Sequence, residues 1–250
     1  MSKTILAVDS SDTPLRLAIS FGGGDTVSAS SADVKQERHA VRLAQKLLAE
    51  RGLGLADVDR VFALRGPGRF TGIRIGLALA AVLGELNGAE VCSATVFEAL
   101  ARQAVKTPGY LRWRGNNPSG RLAVITSAFR SEFFCQIFSG LKPAAPPLWL
   151  PAAQLKEYLA GIKFPLYCFG WAERRSSLAP YLPENCFAAP PLKTGASAET
   201  LMAAALAAKP HKKPVAPLYL KPARFELLIT AVAEGNGRGC SATKTPTARP

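Results

Sequence analysis

Arg65-Gly66-Pro67-Gly68-Arg69-Phe70-Thr71-Gly72-Ile73-Arg74-Ile75-Gly76 is the stretch of this chain that departs furthest from generic globular sequence. It follows a short apolar run, residues 61–64, of strand type, and leads into residues 73–86, which are rich in Leu and Ala and read as a helix. The motif is therefore a strand-to-helix turn. Gly66, Pro67 and Gly68 suit a tight turn, and Thr71 stands where a helix N-cap is wanted. Free backbone N–H groups at such a helix start can hold an anion. The known phosphate loops do not match. A Walker A loop needs lysine where Ile73 follows Gly72, and the dinucleotide fingerprint misses by one residue because its third glycine is Gly72. Gly72, Gly76, Ala80 and Gly84 recur every four residues, so on a helix they form one stripe almost without side chains. Each interior glycine costs about 1 kcal/mol against alanine, so the stripe implies a compensating close approach of another backbone. Two readings stay open: the helix lies on its own sheet, or it meets a helix of another molecule.

Outward from this stretch, 250 residues at 48% hydrophobic suffice for one large domain or two small ones. The longest apolar region is interrupted by Arg74 and Glu85, so no membrane span is expected. The N-terminus enters a strand-like run with no signal-peptide pattern, and the chain reads as soluble and cytoplasmic. Five cysteines (Cys92, Cys135, Cys168, Cys186, Cys240) are widely spaced without a Cys-x-x-Cys pair, which suits buried free thiols. Two distant histidines, His39 and His211, cannot build a local metal motif, so no metal site is expected. The net charge of +13 is uneven: residues 209–250 hold eight basic against two acidic side chains. Such charge favours nucleic acid or an acidic partner.

Residues 4–9 and 15–21 alternate as a hairpin with Asp9 at its bend, and residues 26–30 add a third strand. Residues 38–51 form an amphipathic helix whose apolar side holds Ala40, Val41, Ala44, Leu47 and Leu48. Strand 60–64, the glycine turn, the small-residue helix, strand 90–93 and helix 95–105 complete a first unit, 1–105, in a mixed-sheet α/β order. Residues 106–121 shift to Pro, Gly, Asn and Arg and read as a linker or loop; Tyr110 and Trp113 interleave there with Arg112 and Arg114, a combination that can stack on bases. The pattern then restarts. Strands 122–127 and 132–138 repeat the first hairpin, and helix 152–159, strand 165–169, helix 196–208 and a strand-like 217–220 fill a second unit, 122–233. Residues 234–250 read as a disordered basic tail.

The Arg-Gly-Pro-Gly-x-Phe-Thr-Gly-x-Arg-x-Gly signature at 65–76 resembles that of the bacterial TsaB (YeaZ) family. Supporting matches are Ile5-Leu6-Ala7-Val8-Asp9, the His39 helix, Glu132, Phe169-Gly170-Trp171 and Pro217-Leu218-Tyr219-Leu220-Lys221, so the resemblance spans roughly residues 4–225. It implies a duplicated actin-like, or ribonuclease-H-like, fold. It also implies a non-catalytic paralogue of TsaD that pairs with TsaD, with the ATPase TsaE joining, in making threonylcarbamoyladenosine in tRNA. ATP and a divalent metal are then expected on the partner subunits, and none on this chain alone.

In the wider superfamily that the resemblance implies, the first hairpin cradles phosphates, which makes Asp9 and Ser10 the nucleotide-binding candidates; from the residues themselves, the favoured reading of Asp9 is a turn former bonding its own backbone. The second hairpin has Thr126 and Ser127 where relatives carry Asp, so it lacks an anionic metal ligand. The expected mechanism is interface formation. Val41, Ala44 and Leu48 on one helix, with Gly72, Gly76, Ala80 and Gly84 on the next, are the expected partner-binding residues, serving TsaD or, in its absence, a homodimer. The competing readings are an actin-like ATPase or kinase and a tRNA-binding module using Arg112 and Arg114; no serine-protease elbow is present.

Overall fold

Alternation at period two decides where the first sheet buries its side chains. In β1 (Thr4–Asp9), Leu6 and Val8 join one apolar cluster while Ile5 and Ala7 join another on the opposite face. A computed structural model describes residues 3–22, 24–32 and 36–221, with backbone alone for 36–38. β2 (Leu15–Phe21) and β3 (Asp25–Ser31) follow β1 antiparallel. After α1 (Gln36–Ala49), β4 (Arg60–Leu64) returns parallel to β1, and β5 (Glu90–Ala94) parallel to β4. Between these two strands runs α2 (Phe70–Asn87), ended by Gly88 in the left-handed conformation at φ 68°. The sheet order is β3-β2-β1-β4-β5.

α3 (Val96–Ala104) opens with a capping box, Thr95 accepting from the Glu98 N–H and Glu98 bonding back to the Thr95 N–H. α4 (Pro108–Asn116) comes next, then β6 (Arg121–Ser127), β7 (Glu132–Ser139), β8 (Lys142–Pro143), β9 (Leu148–Pro151), α5 (Ala152–Ala160), β10 (Leu166–Trp171), β11 (Cys186–Ala188) and α6 (Ala198–Ala207). The second sheet runs β11-β10-β6-β7-β8, with β9 also pairing β7. β6 and β7 are antiparallel, and β6, β10 and β11 are parallel. Each sheet thus sets an antiparallel hairpin beside two parallel strands in the same order, the duplicated fold expected from the two hairpins, and the second sheet adds one short strand.

Three apolar clusters set the layers. α1 and α2 cover the outer face of the first sheet, and α5 covers the outer face of the second. Between the sheets, α6 packs on β1 and β2, α3 packs on β6 and β10, and the two helices pack on each other. Each half therefore lends its last helix to the other's sheet. The described residues up to Leu220 form one compact unit.

Several expectations are corrected. Residues 106–121 are not a loop: Thr107 caps α4 by accepting from the Tyr110 N–H at 3.2 Å, and Tyr110 is buried edge-on against Tyr167. Aromatic packing there outweighs the poor helix propensity of Gly109 and Gly115. Residues 217–220 join no ladder. α2 begins at Phe70 with Arg69 at the cap, so Thr71 is not the N-cap. The 18 residues of α2 are also long and apolar enough, by length and composition, to cross a membrane, although here the helix lies along β4. Residues 222–233, the expected tail 234–250 and Cys240 lie outside the described residues.

Candidate functional site

The glycine turn is consumed by its own chain. Gly66 has φ +108°, and a Cβ there would stand 2.7 Å from the Leu218 carbonyl oxygen; one on Gly68 would collide with the Ser11 backbone. The Arg69 N–H donates to the Ser11 carbonyl at 2.7 Å, the Val96 N–H to that of Gly66 at 2.8 Å, and the Leu218 N–H to that of Arg65 at 2.6 Å. The glycines permit this three-way backbone contact, which locks the start of α2 to the β1–β2 turn, to α3 and to residue 218.

The small stripe faces inward. Gly72, Gly76 and Ala80 are buried and Gly84 is half-buried. A Cβ on Gly76 would lie 2.5 Å from Ser10 Oγ and 3.5 Å from Val8 Cγ1, and one on Gly84 2.6 Å from Val91 Cγ2. The close approach is therefore within the same chain, and what comes nearest to Gly76 and Gly84 is the side chains of Val8 on β1, Ser10 just beyond it and Val91 on β5, not another backbone as the stripe suggested. On α1, Ala44 and Leu48 are fully buried as well, and His39 is half-buried. Of the seven residues expected at an interface, Val41 alone is exposed.

The outward face of α2 was missed. Arg74, Ala78, Val82, Glu85 and Leu86 are exposed, with Val82 at 50% and Leu86 at 78%; on α1, which packs against α2, Val41 is 40% exposed. A signal existed: 74, 78, 82 and 86 repeat the four-residue period of the stripe, displaced by two positions, and the helix is apolar all round.

Asp9 and Ser10 part company. Asp9 is 2% exposed; its Oδ1 accepts from the Ser11 N–H at 3.1 Å and the Ser11 hydroxyl at 2.6 Å, and its Oδ2 from Arg16 Nη2 at 2.5 Å. The Arg16 guanidinium is pressed against Gly195, with Nε and Nη1 buried and without partners. Nearby, Arg175 pairs with Asp12 and lies 3.7 Å above the Trp171 ring; burial draws its guanidinium below the ordinary arginine value against the pull of Asp12. Ser10 Oγ instead turns under α2 toward Gly76, buried and without a partner.

The metal–nucleotide site of the fold does not fit this donor set. The first carboxylate is neutralised by Arg16, the hairpin backbone is filled by Gly68, and the second hairpin offers Thr126 and Ser127. Among the described residues no three His, Cys, Asp or Glu side chains converge on a metal position. Cys92, Cys135, Cys168 and Cys186 are free thiols, and burial pushes Cys135 up to about 12, far from a nucleophile at neutral pH.

Arg112 is exposed, while Arg114 Nη1 donates to the carbonyls of Asn117 at 3.0 Å and Gly120 at 2.8 Å and so closes the end of α4. Arg69 Nη1 donates to Thr13 Oγ1 at 2.6 Å. Arg74 lies 3.9 Å over the Phe70 ring and donates from Nε to the Tyr219 hydroxyl at 3.0 Å, and Phe70 and Tyr219 stack at 4.7 Å.

Residues 29–141 match the family model described as TsaD, tRNA N6-adenosine threonylcarbamoyltransferase. The chain is 35% identical over 77 residues to the tRNA threonylcarbamoyladenosine biosynthesis protein TsaB of Haemophilus influenzae, covering 31% of this chain and 33% of that one. It is 32% identical over 101 residues to TsaB of Bacillus subtilis, covering 39% and 43%. An uncharacterised protein of Mycobacterium tuberculosis is 29% identical over 147 residues, 57% of this chain and 63% of its own length. The chain thus spans less than two thirds of the curated relatives it matches. The solved structure of YeaZ from Pseudomonas aeruginosa superimposes with a TM-score of 0.63 at 21% identity, over 87% of this chain and 100% of that one, a likeness of fold.

Proposed function

We propose that the chain is a member of the TsaB/YeaZ family, on its partial matches to the TsaD family model and to two TsaB proteins, and that it is a non-catalytic scaffold which pairs with a TsaD-type enzyme in threonylcarbamoylation of tRNA adenosine. The observation that carries the reading is the outward face of α2, where Val82 and Leu86 stand exposed, together with exposed Val41 on α1, the helix packed against it. A helix that is apolar on both faces, with one face used by its own sheet, has the other left for a partner helix pair. Related subunits present related faces, so a second copy of this chain competes for the same surface when the TsaD-type subunit is absent. A TsaE-type ATPase joins the pair. ATP and the divalent metal belong to those partners, because Asp9 is held by Arg16 in this chain. The assembly works in the cytoplasm, on tRNA.

Co-purification with a TsaD-type subunit from the same source tests the pairing. Val82→Glu combined with Leu86→Glu is expected to abolish it with an unchanged circular dichroism spectrum and melting temperature. Normal pairing of that folded double variant removes α2 from the interface. Reconstituted tRNA threonylcarbamoylation that runs equally well without this chain overturns the scaffold role itself.

A further inference from the structure

A groove lies on the side of the first sheet where the chain runs past β5. It is lined by Arg65, Ser93, Glu98, His211, Lys212 and Lys213, and a neighbouring hollow adds Arg102 and Lys209. The strap carrying the lysines is fixed in place. Pro210 bridges to Cys92, the His211 N–H donates to the Val91 carbonyl at 2.8 Å, His211 Nε2 and Ser93 Oγ are 2.9 Å apart, and the Leu218 N–H donates to the Arg65 carbonyl.

The charge balance in the groove is one-sided. Arg65, Arg102, Lys209, Lys212 and Lys213 make no ion pair with any carboxylate among the described residues. The one acid there, Glu98, is spent on capping α3 through the Thr95 N–H at 2.6 Å and hydroxyl at 2.9 Å. The strap then reaches Tyr219, whose ring stacks on Phe70 under Arg74, with Phe70 48% and Tyr219 39% exposed. Unpaired cations along a fixed groove that ends at an exposed aromatic stack are the two components of single-stranded nucleic acid binding: backbone neutralisation and a platform for a base.

We infer that this groove binds an RNA strand directly, with Lys212, Lys213, Lys209, Arg65 and Arg102 on successive phosphates and the Phe70–Tyr219 stack receiving an unpaired base. The inference rests on the tRNA-modification reading for the choice of RNA as the polyanion. It puts the contact on residues other than Arg112 and Arg114, and leaves Val82 and Leu86 about three turns beyond Phe70 along α2.

The test measures binding of an unmodified tRNA transcript to the full chain, across a salt series. Lys212→Glu with Lys213→Glu is expected to weaken binding at least tenfold and to flatten the log–log salt slope by about two, near one per lost phosphate contact. Phe70→Ala is expected to weaken it several-fold without altering the slope. A control with the same charge change elsewhere, Lys142→Glu with Lys163→Glu, is expected to have little effect. The inference is overturned if the control loses as much as the groove variant, if the groove variant binds tRNA normally, if the chain binds no tRNA, or if polyglutamate binds as tightly as tRNA. An unsubstituted chain that binds tRNA through the groove yet fails to pair with the TsaD-type subunit refutes the scaffold reading and leaves this one standing.

Discussion

Asp9 ends β1, and the guanidinium of Arg16 supplies its counter-charge from within the same hairpin. Both are nearly inaccessible, Arg16 at 8% exposure, and two guanidinium nitrogens already lack partners. Removing the carboxylate leaves a buried charge uncompensated. Asp9→Ala is therefore expected to cost about 3–5 kcal/mol in urea denaturation, whereas the double replacement Asp9→Leu with Arg16→Met recovers much of that loss. A single-variant cost under about 1 kcal/mol would show the pair to be effectively solvated. The Ser11 contact of Asp9 was legible in the sequence as a self-bonding turn aspartate. Arg16 was legible in principle too: a hairpin joining residues 4–9 to 15–21 sets Asp9 directly opposite Arg16 in the register. Its pressure against Gly195 was not, since that contact joins parts of the chain far apart in sequence.

At the scale of elements, α2 shows what periodicity does and does not convey. Spacing by four placed Gly72, Gly76, Ala80 and Gly84 on one face, and spacing by four equally places Arg74, Ala78, Val82 and Leu86 on the other. Period gives the faces of a helix; which face meets the sheet depends on β1 and β5, which approach it only after folding. The glycines mark the inner face because a Cβ on Gly76 would stand 2.5 Å from Ser10 Oγ. Gly76→Ala is accordingly expected to destabilise the chain by about 1–3 kcal/mol through overpacking, in spite of the gain of about 1 kcal/mol in helix propensity. Thermal denaturation followed by circular dichroism measures this. An alanine variant as stable as the parent would mean that the Ser10 hydroxyl turns aside beneath α2 at no cost, and Gly76 would lose its packing explanation. The aromatic loop that turned out to be α4 teaches a related lesson: Gly, Pro and Asn mark helix ends as readily as linkers, and Tyr110 against Tyr167 decided between them.

At the scale of the whole molecule, the repeated hairpin announced two like sheets, and both are present with matching strand orders. Their independence did not follow from the repetition. α3 is next to β5 in sequence yet packs on β6 and β10, while α6, late in the chain, packs on β1 and β2. One apolar cluster consequently contains Ile5 and Phe62 from the first sheet, Leu100 from α3, Val124 and Phe169 from the second sheet, and Leu201 from α6. Neither sheet can cover its inner face with helices from its own half. Residues 1–105 alone would expose Ile5, Ala7 and Ala18 where α6 belongs, and the apolar side of α3 where β6 and β10 belong. That fragment is expected to give no cooperative thermal transition. In the intact chain, by contrast, tryptophan fluorescence and hydrogen exchange are expected to report a single event. All three tryptophans, Trp113, Trp149 and Trp171, lie after residue 105, so their fluorescence follows the second sheet, and exchange of the β1 and β4 amides follows the first. Coincident midpoints in urea mean that the crossed helices bind the two sheets into one folding unit. Separate midpoints, or a sharp melt from residues 1–105 alone, would mean that each half carries enough of its own core to stand without the exchange.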